Sequence, residues 1–326
     1  MKVLITGGAG FLGQRLARKL IDKGTLRLQG GDWPIHQIDL LDVVAADTLG
    51  DARVRCLVGD IADPQVLRSA ISRDTAVVFH LAAVVSGQAE ADFDLGMRIN
   101  FDASRALLET CRTLGHAPRV VFTSSVAVYG GALPATVRDD TALNPQSSYG
   151  TQKAMAELLL ADYTRRGFVD GRVLRLPTIS VRPGRPNAAA SSFASGIVRE
   201  PLHGEAATCP VAPDTRLWLL SPRRAVEALV AGCELDAAAL ADRRPINLPG
   251  VSVSAGAMVD ALREVAGDAV ASRVAWQPDE RIERIVGSWP GCWDTGRAER
   301  LGLCGDEDFR AIVRAYITDD LTASTQ

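Results

Sequence analysis

Gly7-Gly8-Ala9-Gly10-Phe11-Leu12-Gly13 constrains this chain more than any other stretch. It follows at once on the β-branched, apolar run Lys2-Val3-Leu4-Ile5-Thr6 and opens an amphipathic segment that reaches about Lys23. Glycines at Gly7, Gly10 and Gly13 permit a tight turn, a close backbone approach to a pyrophosphate and close helix-to-strand packing. The unpaired amides and dipole at the start of the helix favour an anion. A glycine triad alone also suits an ordinary turn, so its context decides the matter.

That context is a repeated alternation of strand and helix. The runs HQIDLLD, RCLVGD, AVVFHLA and RVVFTSS read as strands, with a helix from about Asp92 to Leu114 before the last. A helix from Tyr149 to Arg165 and a strand at GRVLRLPTI continue the pattern to about Val181. Alternation of this kind predicts an α/β fold with a doubly wound parallel sheet. The predicted Rossmann domain spans residues 1–181, with some later segments returning to it. Residues 182–326 form mainly a smaller C-terminal α/β substrate lobe. RPGRPNAAASSFASG, rich in small residues, reads as a substrate loop. After it come a strand at RLWLLS, a helix from Pro222 to Cys233, a strand at PINLP and helices at Ser254 to Ala266 and Asp306 to Tyr316.

In such a sheet the second strand ends in an acid that accepts hydrogen bonds from the adenosine ribose. HQIDLLDVV offers Asp39 and Asp42, and strand alternation with position at the end of the run favours Asp42. The glycine-containing segment Gly24 to Pro34 reads as an inserted hairpin or loop that lengthens the spacing. A carboxylate at Asp42, with no Arg or Lys close behind it, repels a 2′-phosphate and selects NAD over NADP.

Bulk properties narrow the partners. A net charge of -3 with dispersed Lys and Arg gives no footprint for nucleic acid. The six cysteines lack metal-ligand spacing, so no metal is expected and they read as reduced thiols. The apolar start is too short for an export signal, and no run approaches the roughly 18 apolar residues of a membrane span. A cytoplasmic enzyme with no membrane partner is expected.

The glycine motif, Gly59-Asp60-Ile61, His80-Leu81-Ala82-Ala83, Ser124-Ser125 ahead of Val128-Tyr129-Gly130, and Tyr149-x-x-x-Lys153 occur in this order. With them the chain resembles extended short-chain dehydrogenases/reductases, the NAD-dependent epimerase/dehydratase family, over nearly its whole length. The resemblance implies that Asp60 and Ile61 flank adenine and that the Ala82 to Ala83 backbone lies along the cofactor. It also implies that Phe11, Leu12, Leu81 and Pro177 line the cofactor site. Asn100 in MRINFDAS matches a helix asparagine that organises a proton relay beside the cofactor in that family, and a plain capping or buried polar role is an equal alternative. A homodimer through the helices bearing Asp92 to Leu114 and Tyr149 to Arg165 is likewise implied.

The catalytic reading also stands on chemistry. Tyr149 and Lys153, four apart on a helix, share a face, and an ammonium beside a phenol stabilises the phenolate. A tyrosine pKa near about 10 would thereby fall toward working pH, as general-base action requires. Ser125, at a strand end, can hydrogen-bond the reacting oxygen. His80, closing an apolar strand, reads as a structural group, and Trp289 and Trp293 read as packing residues.

Substrate signals lie after Arg175. Relatives of this shape commonly act on nucleotide-diphosphate sugars, yet Thr178-Ile179-Ser180-Val181-Arg182-Pro183-Gly184 and Ser221-Pro222-Arg223-Arg224-Ala225-Val226-Glu227 depart from their pattern. Leu174 to Phe193, Asn144-Pro145-Gln146-Ser147-Ser148-Tyr149 and the Trp289 to Trp293 segment resemble the D-erythronate dehydrogenase subgroup. That resemblance implies NAD-dependent oxidation of the C2 hydroxyl of a small sugar acid, D-erythronate to 2-dehydro-D-erythronate. Such an acid needs a cation for its carboxylate and polar partners for its hydroxyls. Arg182, Arg185, Asn187, Ser191 and Ser192 are available, with Ser125 and Thr178 beside them, and which arginine turns inward stays open. The alternatives are a nucleotide-diphosphate-sugar 4-epimerase or dehydratase, and a non-catalytic NAD-sensing scaffold.

Overall fold

The computed structural model describes residues 1–184 and 189–321. Seven strands form one sheet, all parallel: β1 (Lys2–Thr6), β2 (Gln37–Asp42), β3 (Val54–Val58), β4 (Thr75–His80), β5 (Arg119–Ser125), β6 (Asp170–Leu176) and β7 (Pro245–Asn247). Their spatial order is β3-β2-β1-β4-β5-β6-β7, with the reversal of direction next to β1 that opens a crevice beyond the strand ends.

Both faces of this sheet are covered, as a parallel sheet requires. Side chains alternate along each strand. In β1, Val3 and Ile5 pack with Leu16 and Leu20 of α1 (Phe11–Lys23), whereas Leu4 packs on the opposite face with Leu107 and Leu108 of α2 (Ala103–Leu114). That second face also receives Ala156 and Leu160 of α3 (Ser148–Arg165).

The chain leaves the sheet at Pro177, which has no amide hydrogen to continue a ladder. Thr178–Ile179 then pairs with Arg216–Leu220 in a separate three-stranded sheet. A further helix, α4 (Phe193–Leu202), stands where the loop reading extended to Gly196. Its Phe193, Ile197 and Val198 enter the core of the C-terminal lobe with Met258, Leu262, Phe309 and Ile312. The helix α5 (Pro222–Glu234) and strand β7 return to the first sheet, α5 against α1, β5 and β6. Residues 217–250 therefore divide between the two sheets.

Two local readings are sharpened. The insertion at Gly24 to Pro34 is a hairpin of Thr25–Leu28 against Gly31–Pro34. The continuous helix expected from Asp92 to Leu114 is a short turn at Phe93–Gly96, a π-helical stretch at Met97–Asp102, then α2. The wider turn holds Asn100 in the buried interior. No helix among the described residues is long and apolar enough to cross a membrane.

At the N-terminal end of the sheet, away from the crevice, Asp170 gathers two buried guanidinium groups. Arg119 donates to it at 2.9 and 2.7 Å, and Arg172, whose side chain is fully buried, donates through both terminal nitrogens. Asp170→Asn strands both cations, a type of loss that costs about 3 kcal/mol. The expected outcome is a lower urea midpoint with an unchanged slope and normal turnover per folded molecule; an unmoved midpoint would contradict this account of the lower sheet.

Candidate active site

The C-terminal ends of the parallel strands open into a cavity of about 640 Å³. It is lined by Gly7, Gly10, Phe11, Leu12 and Gly13 from the first turn and helix, and by Asp42, Asp60 and Ile61 from the next two strand ends. Leu81, Ala82, Ala83, Ser125, Tyr149, Lys153, Pro177, Thr178, Arg182 and Ser191 complete the sequence-derived set at its wall. Asn100 does not reach the cavity. Its side chain accepts from the Val84 amide at 2.8 Å and donates to the Val84 carbonyl and Gln152 Oε1, so it fastens the loop after β4 to α3. Asn187 and Arg185 lie outside the described residues.

The glycine turn is built for a bound pyrophosphate. Gly7 has φ +73°, and a Cβ at Gly13 would stand 2.3 Å from the Gly7 carbonyl oxygen, so no side chain fits between strand and helix. No side chain caps the start of α1, leaving its first amides directed at the cavity. Asp42 sits beside this turn, with Oδ2 accepting from the Ala9 amide at 3.0 Å and Oδ1 from the Val43 amide at 2.8 Å. Asp39 is spent elsewhere: it is fully buried and paired with Lys2 and Arg55. Beyond the end of β3, Asp60 is held by Arg98 at 2.5 Å, a partner the sequence reading did not single out. A glycine cradle, an uncapped helix and an acid at the end of β2 fit NAD.

A directed hydrogen-bond chain fixes the wall opposite. The Ala82 amide donates to Thr6 Oγ1 at 3.2 Å, Thr6 lies 2.8 Å from His80 Nδ1, and His80 Nε2 lies 2.9 Å from Ser104 Oγ. Ser104 donates onward to the Asn100 carbonyl, so the His80 proton belongs on Nε2, and burial, with the Lys153 charge adding to it, holds its pKa down to about 3. His80 is a neutral brace.

Ser125, Tyr149 and Lys153 meet through backbone packing. Ser125 ends β5 and its Oγ accepts from the Ala127 amide at 3.2 Å, starting a single turn at Val126–Val128. The first turn of α3 presses onto that turn so closely that a Cβ on Gly150 would lie 2.1 Å from the Ala127 carbonyl oxygen. Tyr149, next to Gly150, is thereby brought to the Ser125 hydroxyl, which hydrogen-bonds its phenol. One helical turn on, buried Lys153 donates to the Thr123 carbonyl at 3.0 Å. Its Nζ lies 4.6 Å from the Phe122 ring centre and 5.7 Å from that of Tyr149.

The electrostatics differ from the sequence expectation. Tyr149 is not lowered toward neutrality: burial pushes its phenol up to about 12, opposed by the Ser125 hydrogen bond and the Arg182 charge. Burial also pulls the Lys153 ammonium down to about 7, opposed by Glu157. Desolvation penalises both charged forms, which pattern on a helix does not reveal.

Of the two candidate arginines after Val181, Arg182 lines the cavity and Arg185 lies outside the described residues. Burial brings the Arg182 pKa down to about 10, with Arg199 repelling it and Tyr149 opposing the shift. Its Nη2 is buried without a hydrogen-bond partner. Trp289, expected to be a packing residue, also lines the cavity from the far side; Trp293 packs against Tyr129 and Trp218.

A doubly wound sheet with this cradle and a Ser, Tyr and Lys set at the strand ends defines an NAD-linked oxidoreductase. Residues 3–219 match the NAD dependent epimerase/dehydratase family, and the chain belongs to it. It is 69% identical to the D-erythronate dehydrogenase of Cupriavidus necator, covering 98% of both chains. It is 46% identical to that of Haemophilus influenzae, over 98% of this chain and 100% of the other. Among solved structures, the nucleoside-diphosphate-sugar epimerase from Agrobacterium tumefaciens superposes with a TM-score of 0.93 at 42% identity, covering 100% of this chain and 96% of that one.

Gly13→Ala must displace the Gly7 carbonyl or the whole of α1. Calorimetric titration is expected to show NAD affinity lowered at least about tenfold, the scale of one misplaced charge-assisted contact; unchanged affinity would refute the cradle.

Proposed function

We propose that this enzyme oxidises the C2 hydroxyl of a four-carbon sugar acid, D-erythronate, with NAD as acceptor. The observation that carries the substrate class is Arg182: a buried guanidinium with a free donor beside Tyr149 suits a carboxylate. The two D-erythronate dehydrogenase relatives support the same reading.

NAD, when bound, supplies the hydride acceptor. Arg182 holds the carboxylate, with Thr178 and Ser191 available to the hydroxyls. Ser125 donates to the reacting oxygen and keeps it at Tyr149. Tyr149, as a phenolate stabilised by the Lys153 ammonium, takes the hydroxyl proton and becomes the neutral phenol. Alignment of these groups before reaction removes the orientational cost of bringing them together.

The enzyme works as a homodimer in this proposal. Leu158 on α3 and Phe93 ahead of α2 are large apolar side chains at 67% and 59% exposure, on the helices expected to pair. Six free cysteines support residence in the reducing cytoplasm. Leu158→Glu is expected to shift the sedimentation mass from dimer to monomer.

Purified enzyme with NAD and D-erythronate should produce NADH continuously at 340 nm. Turnover of nucleotide sugars without net NADH would instead select epimerisation. Tyr149→Phe is expected to retain NAD binding and lose about 10²-fold or more of turnover, the weight of a general base. In the same assay Arg182→Met should raise KM for the acid about tenfold or more, as loss of a charged hydrogen bond implies. Equal KM values would remove Arg182 from the carboxylate site.

A further inference from the structure

The mechanism leaves unused the buried acid nearest its lysine along the helix. Glu157 lies on α3 one turn beyond Lys153, so the two side chains share the buried face of that helix, each only 1% exposed. Arg175 on β6 grips both Glu157 oxygens, through Nε at 3.0 and 3.2 Å and through Nη2 at 2.7 Å. Arg175 is itself held by the hydroxyl of buried Tyr129, which donates to Asn247 at 2.9 Å. Asn247 donates its amide to Asp139, and Asp139 meets Arg297 of the C-terminal lobe at 3.2 Å. The acid is therefore fixed through Arg175, which is itself held by a chain of bonds running to Asn247 and Asp139.

The groups facing Lys153 supply no other negative charge. His80 from β4 is neutral, Thr123 offers a carbonyl and Phe122 a ring face from β5, and Tyr149 on its own helix is a protonated phenol. We propose that Glu157, locked by Arg175, is a positioning residue that keeps the Lys153 ammonium charged beneath Tyr149. Without it, a buried ammonium gives up its proton to water before the phenol ionises. The inference rests on the roles given above to Tyr149 and Lys153.

A definite pH signature follows. The pair must lose one proton before it can accept another from substrate. Burial puts the first loss at Lys153, near about 7, rather than at Tyr149, near about 12. The reactive phenolate and ammonium arrangement is then a tautomer of the singly protonated pair, and the pair titrates as a unit. The Glu157 charge raises the share of that tautomer.

The test is kcat/KM for D-erythronate against pH in the intact enzyme. For Glu157→Gln the acid limb is expected to move down by about one unit and the plateau to fall about tenfold, while rates below the limb stay near wild type. Glu157→Asp, which keeps the charge, should hold the limb near its wild-type position. Arg175→Gln leaves the Glu157 charge uncompensated and should move the limb the other way; it carries the test alone if Glu157→Gln does not fold. A uniform fall at every pH with the limb unmoved is what a purely structural pair would give, and it overturns the proposal. Full turnover by Tyr149→Phe would instead overturn the reaction assignment on which the inference rests.

Discussion

An ammonium and a phenol set together at the wall of one cavity are the constraint to which the rest of this structure answers. Water is the usual stabiliser of both phenolate and ammonium, and excluding it pushes Tyr149 up and Lys153 down. Reactivity has to be restored by fixed groups: the Ser125 hydroxyl, the Thr123 carbonyl, the Phe122 ring, the Glu157 carboxylate and the Arg182 charge. These come from β5, α3 and the segment after β6, so the pocket works only when the sheet and the helix on its face are locked in register. Preorganisation of this kind lets the site act without rearranging solvent at the moment of proton transfer.

The sheet achieves that locking with main-chain contacts more than with side-chain bonds. Strand β1 runs between β2 and β4, and its last residue, Thr6, both receives the Ala82 amide and meets His80. Gly13 and Gly150 permit two approaches that any Cβ would block, one joining α1 to the glycine turn and the other joining α3 to the turn after β5. The first shapes the glycine turn and the second sets Tyr149 beside Ser125.

Much of this was legible in the sequence because the signals were local. A β-branched run followed by spaced glycines, an acid at the end of the next long strand, and a tyrosine four residues before a lysine each depend on neighbours in the chain. Asp42 was separable from Asp39 because only one end of a parallel strand faces the crevice. The parts that escaped were set by distant packing. Nothing near Arg182 in sequence shows that it lies beside Tyr149, and the polar neighbours of Asn100 gave no hint that Val84 and Gln152 would consume its amide. The helix at Phe193–Leu202 was obscured by the Ala- and Ser-rich run before it. The spacing of Phe193, Ile197 and Val198 was the available helical signal. The direction of the Tyr149 shift failed for a different reason: charge proximity was visible on the helix, but desolvation was not.

The placement of Arg182 also explains how this scaffold acquires a substrate. Up to Leu176 the chain builds a dinucleotide site common to its family, and Pro177 then removes a ladder donor and sends the chain into the second sheet. Arg182 follows within five residues of that switch, its main-chain amide donating to Ser195 Oγ and its carbonyl accepting from Arg199. Held by its backbone, its side chain is free to meet the ligand. Change after Pro177 can therefore reshape this side of the cavity without disturbing β5, α3 or the glycine turn, because the two walls come from different stretches of one chain.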